Sequence, residues 1–178
     1  MKKVICLTLV VVLLFTGCSR SPSAARIRAM SIDDAVNTAI DSSNAIRSTD
    51  RRDVFISGGG IRGGYMVTIA LDVRGNLTMN DVYDILDEGG NRRPLHRMRD
   101  GMFQDVRDIV GVLQARNDLD EVTMIWALPY VDARGNEDFV NVFRLIFITT
   151  EIDEIDFANF SNDTLSFVSD IAGSAYNW

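Results

Sequence analysis

Val122-Thr123-Met124-Ile125-Trp126-Ala127-Leu128-Pro129-Tyr130-Val131 is followed by the turn-forming Asp132-Ala133-Arg134-Gly135-Asn136. Phe139-Val140-Asn141-Val142-Phe143-Arg144-Leu145-Ile146-Phe147-Ile148 then comes next. Both flanking runs are dense in β-branched and aromatic residues, which suit a pleated, half-buried surface. Two such runs around a glycine-containing turn predict a long antiparallel hairpin.

Upstream, Val54-Phe55-Ile56 and Tyr65 to Val73 read as two more strands, with the glycine-rich Gly58-Gly59-Gly60-Ile61-Arg62-Gly63-Gly64 between them. Those glycines predict a flexible hairpin or bulge with Arg62 exposed. Helices fill the remaining sequence. Ser31 is positioned to cap a first helix whose Ile32, Ala35, Val36, Ala39, Ile40 and Ile46 make one apolar stripe. Thr78, with Asp81 three residues on, marks a second start; Val82, Ile85 and Leu86 supply its buried side, and Gly89-Gly90 its end. Asp100 is expected to cap a third helix running to about Arg116, and a short last helix is expected near Ser161 or Asn162, with Leu165, Val168 and Ile171 inward. The order is then α-β-β-α-α-β-β-α. With no evident βαβ crossover, the expectation is an α+β domain over 31–178. It would hold an antiparallel sheet of about four strands, with helices packed on one face.

Composition narrows the function. The chain has 178 residues, 47% of them hydrophobic and 24% charged, with a net charge of −7. That acidity gives no general attraction to nucleic acid. Two cysteines and one histidine exclude a Cys/His zinc cluster and a dense disulfide framework. No metal or cofactor site is read from the sequence.

The N-terminus points to a compartment. Met1-Lys2-Lys3 is a short positive head, Val4 to Phe15 is almost wholly apolar, and Thr16-Gly17-Cys18 closes the run with small residues. An apolar run of this length reads as a secretory signal, being short of the roughly 20 residues of a membrane span. Leu14-Phe15-Thr16-Gly17-Cys18 resembles the lipobox of bacterial lipoproteins, with Phe15 where Leu is usual. The resemblance implies cleavage between Gly17 and Cys18, lipidation of the Cys18 thiol and acylation of its new amine. It implies a signal over 1–17, a lipidated cysteine and polar tether over 18–30, and membrane attachment through the Cys18 acyl chains. Ser19 follows the cysteine. In enterobacterial lipoproteins Asp at that place retains the protein in the inner membrane, so the resemblance implies the outer membrane, facing the periplasm. On this reading Cys6, Lys2 and Lys3 leave with the signal and Cys18 carries lipid. Thiol nucleophiles and lysine Schiff bases are thereby excluded.

Few groups are left for chemistry. Ser57-Gly58-Gly59-Gly60-Ile61-Arg62-Gly63 resembles the oxyanion loop of patatin-like phospholipases. That family also needs a G-x-S-x-G elbow, which this chain lacks, and a helix where Tyr65 to Leu71 reads as a strand. Neither a Walker lysine nor a G-x-G-x-x-G before a helix is present. His96, the only histidine, sits among arginines with no orienting carboxylate nearby in sequence. Glu151, Asp153, Glu154 and Asp156 lack calcium-loop spacing, and read as a solvated turn whose Ile152 and Ile155 dip into the core. Trp126, Tyr130, Phe139, Phe143 and Phe147 read mostly as core. Tyr176-Asn177-Trp178 is either a tie-down or a docking tail. No residue is assigned a catalytic role.

One surface stands out. Arg92, Arg93, Arg97 and Arg99, with His96, form a basic cluster in a loop containing Pro94, a candidate patch for docking an acidic partner. The alternative is intramolecular, the cluster offsetting the acidic C-terminal half. Two function classes follow. One is a lipid-anchored binding or structural subunit of an envelope assembly, in secretion, conjugation or cell-wall machinery, with protein partners there. The other is a small envelope hydrolase working through carboxylates.

Overall fold

The computed structural model describes residues 22–43, 51–73, 77–148 and 152–157. Its elements are α1 (Ala24–Ala29), α2 (Ile32–Ser42), β1 (Arg51–Gly58), β2 (Tyr65–Asp72), α3 (Met79–Asp87), α4 (Arg93–Leu113), β3 (Leu119–Val131) and β4 (Glu137–Ile148). The four strands lie in one sheet in chain order, β1-β2-β3-β4. The class is α+β, as expected.

The sheet is mixed, not purely antiparallel. β1 pairs antiparallel with β2 and β3 antiparallel with β4, but β2 and β3 run parallel. The cause lies in the connection. A tight turn reverses the chain, whereas α3 and α4 carry it back to the starting end before β3 begins, so the next strand runs the same way. Two consecutive helices hid a crossover in the sequence pattern.

Register explains the core. Val54, Ile69, Met124 and Leu145 align across the four strands, and Ile56, Val67, Val122 and Phe147 make the next row; Leu71, Trp126 and Phe143 align in a third. Period-two alternation sends these rows to one face. They meet the buried stripe of α2 (Ile32, Ala35, Val36, Ala39, Ile40) and that of α4, from Leu95 and Met98 to Val110 and Leu113. Each large side chain so buried contributes about 1.5–3 kcal/mol. Trp126 packs against Phe143 at 5.7 Å between ring centroids, and Phe143 meets Phe103 edge-on at 6.3 Å.

The sheet narrows at one end. β2 stops at Asp72, level with Ala127, so Pro129 and Val131 have only β4 beside them. Proline is tolerated there because no strand on its other side needs its missing N–H. The Val131 N–H donates instead to Asn80 Oδ1 of α3, at 3.3 Å.

Helix starts follow their caps. Ser31 Oγ accepts from the Asp34 N–H at 3.1 Å. Thr78 and Asp81 form a reciprocal capping box, with N–H to side-chain distances of 3.2 and 2.7 Å. Gly89, at φ +64°, closes the turn after α3.

Three boundaries depart from expectation. First, α4 begins at Arg93, not Asp100, so the basic cluster lies on a helix and not in a loop. Pro94 occupies its first turn, where a missing N–H costs nothing and a fixed φ is already helical. Second, part of the expected tether is helix α1, with Ile27 fully buried. Arg116 Nη1 donates to the carbonyls of Ile27 and Met30 at 3.2 and 2.8 Å, and Arg28 Nε donates to that of Ala115 at 2.8 Å. The folded unit therefore starts before residue 31. Third, β1 extends well beyond Val54-Phe55-Ile56 on both sides. Gly17, Cys18, the expected last helix and Tyr176-Asn177-Trp178 lie outside the described residues.

Candidate functional site

The first turns of α4 carry Arg92 as N-cap and Arg93, His96, Arg97 and Arg99 within the helix. Leu95 and Met98 face inward, which leaves Arg92, Arg93, His96 and Arg97 exposed. Arg99 differs from the other three arginines. Its side chain is 40% exposed, its guanidinium sits 6.0 Å from the Phe103 ring centroid, and it pairs with Asp100 at 3.6 Å. That ion pair is local to the helix, not a link to the acidic C-terminal half.

The placement of these cations is electrostatically unfavourable. The N-terminus of a helix is its positive pole, where each added cation opposes the dipole by about 0.3–1 kcal/mol. No acidic residue stands in the first turn, and Arg92 makes no side-chain cap. Asn91 Oδ1 alone reaches in, accepting from the Arg93 N–H at 3.1 Å. Beside the arginines opens a small, largely apolar notch of about 60 Å³, lined by Leu86 of α3 and by Arg92, Leu95, His96, Met98 and Arg99. Concentrated positive charge around an apolar recess is suited to holding an acidic segment that carries an apolar side chain.

The glycine-rich loop has another occupation. It is the β1–β2 hairpin, as expected, and Arg62 is exposed. Gly60 N–H donates to Gly64 O at 3.1 Å and Gly63 N–H to Gly60 O at 2.8 Å, closing the tip. Two more of its amides point at a carboxylate of the same chain: Asp120 Oδ2 accepts from the N–H of Arg62 at 2.7 Å and of Gly64 at 3.2 Å. A Cβ on Gly60 would stand 2.7 Å from Asp120 Cβ, and one on Gly64 would stand 2.8 Å from the Asp118 carbonyl oxygen. Gly60 and Gly64 lack side chains because Asp120 and its strand come this close. In the patatin-like loop such amides meet a developing oxyanion; here a fixed internal anion already faces them.

Neighbouring Asp118 forms an ion pair with Arg116, whose side chain is almost wholly buried. Hydrogen bonding from Arg116 holds the Asp118 carboxyl below its ordinary range, and that carboxyl therefore stays ionised at neutral pH.

Sequence reasoning missed one buried polar pair. Trp126 Nε1 donates to Asp105 Oδ2 at 3.1 Å, and Asp105 is only 2% exposed. The signal was present: Asp105 falls on the inward stripe of α4, between Met102 and Ile109. The pair satisfies the indole N–H inside the core and fixes the α4–sheet register. Other expectations are met more simply. Trp126, Phe143 and Phe147 are core, Ile152 is buried and Ile155 packs against the core; Phe139 departs from the core set and is exposed.

Among the described residues, no three His, Cys, Asp or Glu side chains converge as a metal site. No helix there is long and apolar enough to cross a membrane. The chain matches no family model, no curated protein and no solved structure.

Proposed function

We propose that this protein is a lipid-anchored, periplasm-facing envelope protein that works by binding, as a subunit of an envelope assembly in secretion, conjugation or cell-wall machinery. The observation that carries the binding half is the massing of exposed Arg92, Arg93 and Arg97 at the positive pole of α4, beside the apolar notch. The helix dipole gains nothing from cations there, and an external anion would give them a use. The docking partner is accordingly an acidic protein segment. The anchoring half rests on Leu14-Phe15-Thr16-Gly17-Cys18, with cleavage before Cys18, outer-membrane attachment through its acyl chains and no role for nucleic acid.

A hydrolase working through carboxylates would need a general acid held above its ordinary range. The carboxyls of Asp81, Asp118 and Asp132 are each held below it by hydrogen bonds to them, from Thr78, Arg116 and Asn136 respectively. These three carboxyls are therefore not candidates for that acid.

The test separates the two halves. Cys18→Ser should leave the N-terminal peptide without acyl mass and the protein uncleaved or soluble. Reversing Arg92, Arg93 and Arg97 to Glu in the anchored protein should abolish recovery of its complex from solubilised membranes. That variant should unfold no earlier than the parent, because Glu suits the first turn of a helix. Loss of the complex together with loss of the folded state would defeat the docking assignment.

A further inference from the structure

We propose that the notch beside α4 recognises one aliphatic side chain and one carboxylate of the acidic partner segment, with Arg99 gripping the carboxylate while Arg93 and Arg97 only draw the segment in. This inference rests on the docking reading above, and it divides the arginines by place. Arg92, Leu95, His96 and Arg99 recur at three- and four-residue spacing, so they share one face of α4. Those four, with Met98 and with Leu86 of α3, line the notch. Arg93 and Arg97, four residues apart, stand on a neighbouring stripe and reach solvent outside it.

The floor is apolar and small. Leu95 and Met98 are buried, and Leu86, 36% exposed, forms the rim on α3. A recess of about 60 Å³ is far below the roughly 300–1,000 Å³ of a small-molecule site, and it takes the end of a single aliphatic side chain. Its polar lining is Arg92, His96 and Arg99, with no carboxylate among them. Asp84, Asp87 and Glu88 of the α3 end are exposed nearby, but among the described residues none forms an ion pair with these arginines. What sits beside the seated side chain is therefore selected for negative charge.

Arg99 is poised to meet it. Its Nε is buried without a hydrogen-bond partner, and its Nη2 stands 3.6 Å from the Asp100 carboxylate, beyond the roughly 2.7–3.2 Å of a good hydrogen bond. Both side chains of that ion pair are open to water, at 40% and 51% exposure, which weakens it. The guanidinium lies 6.0 Å from the Phe103 ring centroid, a contact that uses none of its donors. A carboxylate carried in beside the aliphatic side chain engages Nε and one Nη together, the two-bond geometry for which arginine is shaped. Arg99 thus exchanges an unmet donor and a long ion pair for a forked one. Arg93 and Arg97, outside the recess, contribute only their field.

Full-length protein in an uncharged detergent should be titrated with a dye-labelled peptide, Gly-Ser-Asp-Leu-Glu-Asp-Gly-Ser, and read by fluorescence anisotropy at low and at high salt. Arg99→Gln should weaken binding about tenfold at both, without lowering the unfolding midpoint. Arg99→Lys, which keeps the charge but not the fork, should not restore it. Arg93→Gln combined with Arg97→Gln should weaken binding only at low salt, through slower association. A peptide with Trp in place of Leu should bind the parent more weakly. Equal losses for Arg99→Gln and the Arg93–Arg97 double variant, or full rescue by lysine, would overturn the inference. So would a parent that binds the acidic peptide no better than its Asn and Gln counterpart. The docking site itself would still stand if reversing Arg92, Arg93 and Arg97 to Glu abolishes the membrane complex. A complex that survives that reversal would overturn the docking reading and this inference together.

Discussion

Two hairpin turns do the same topological work in this molecule by opposite means. The Asp132–Asn136 turn is self-sufficient. Asp132 accepts from the N–H groups of Arg134 and Asn136 at 2.8 Å each, and from the Asn136 side chain, so every bond lies within five residues. The Gly58–Gly64 turn depends on Asp120, which is 58 residues from Arg62 and 56 from Gly64. The first is a local structure that the sheet inherits. The second has local backbone bonds of its own but is completed only once β3 brings Asp120 beside it. Locality, not turn type, decides how much a turn can be asked to withstand.

The contrast should be widest at glycine. Gly64→Ala drives a Cβ to 2.8 Å from the rigid Asp118 carbonyl, and should destabilise by about 2–3 kcal/mol through overpacking, read as a lower urea midpoint. Gly135→Ala meets no atom within 4 Å and suffers only its φ of +83°, so about 1 kcal/mol is expected. Equal losses would break the distinction.

A smaller difference should appear at the two carboxylates. Asp120→Ala strands two amides at a half-buried site and should cost about 1–3 kcal/mol. Asp132→Ala, at a turn open to water, should lose less. Combining Asp120→Gly with Gly60→Ala should give a total well short of the sum of the two single losses, since all the crowding atoms of Asp120 are then gone. Additivity there would mean the glycines are not shaped around Asp120.

The smallest effect is one of acid. Hydrogen bonds from Asn136 hold the Asp132 carboxyl below its ordinary value of 3.8. A depressed folded-state value means the carboxylate's contribution is complete above that ordinary value and fades as pH falls through the depressed one. Protection of the Arg134 and Asn136 amides, corrected for the intrinsic pH dependence of exchange, should therefore fall only at pH below about 4 and stay constant between pH 5 and 8.

What was legible follows the same division. The Ser31 cap, the Thr78–Asp81 box and the β3–β4 hairpin are written within a few residues, and each stands where the sequence places it. The parallel β2–β3 seam is not local, because strand direction there depends on the route of α3 and α4. The start of α4 was obscured by chemistry: Arg92, Arg93 and Arg97 around Pro94 carry the composition of a solvated loop. α1 has a single buried anchor, Ile27, too little for any periodic signal. Of the candidate docking residues, the positions were legible, but not that Arg99 turns towards Phe103 while the other three arginines face solvent.

Pro129 has one further effect. Where the sheet narrows, the side of β3 turned away from β4 is an open strand edge, the kind of row on which another chain can add itself. Its donors are already disposed of, since Pro129 has no N–H and that of Val131 is taken by Asn80. Copies of a chain that meet at high concentration can pair through such edges. Along this narrowed stretch of β3, neither Pro129 nor Val131 offers an incoming strand an amide hydrogen.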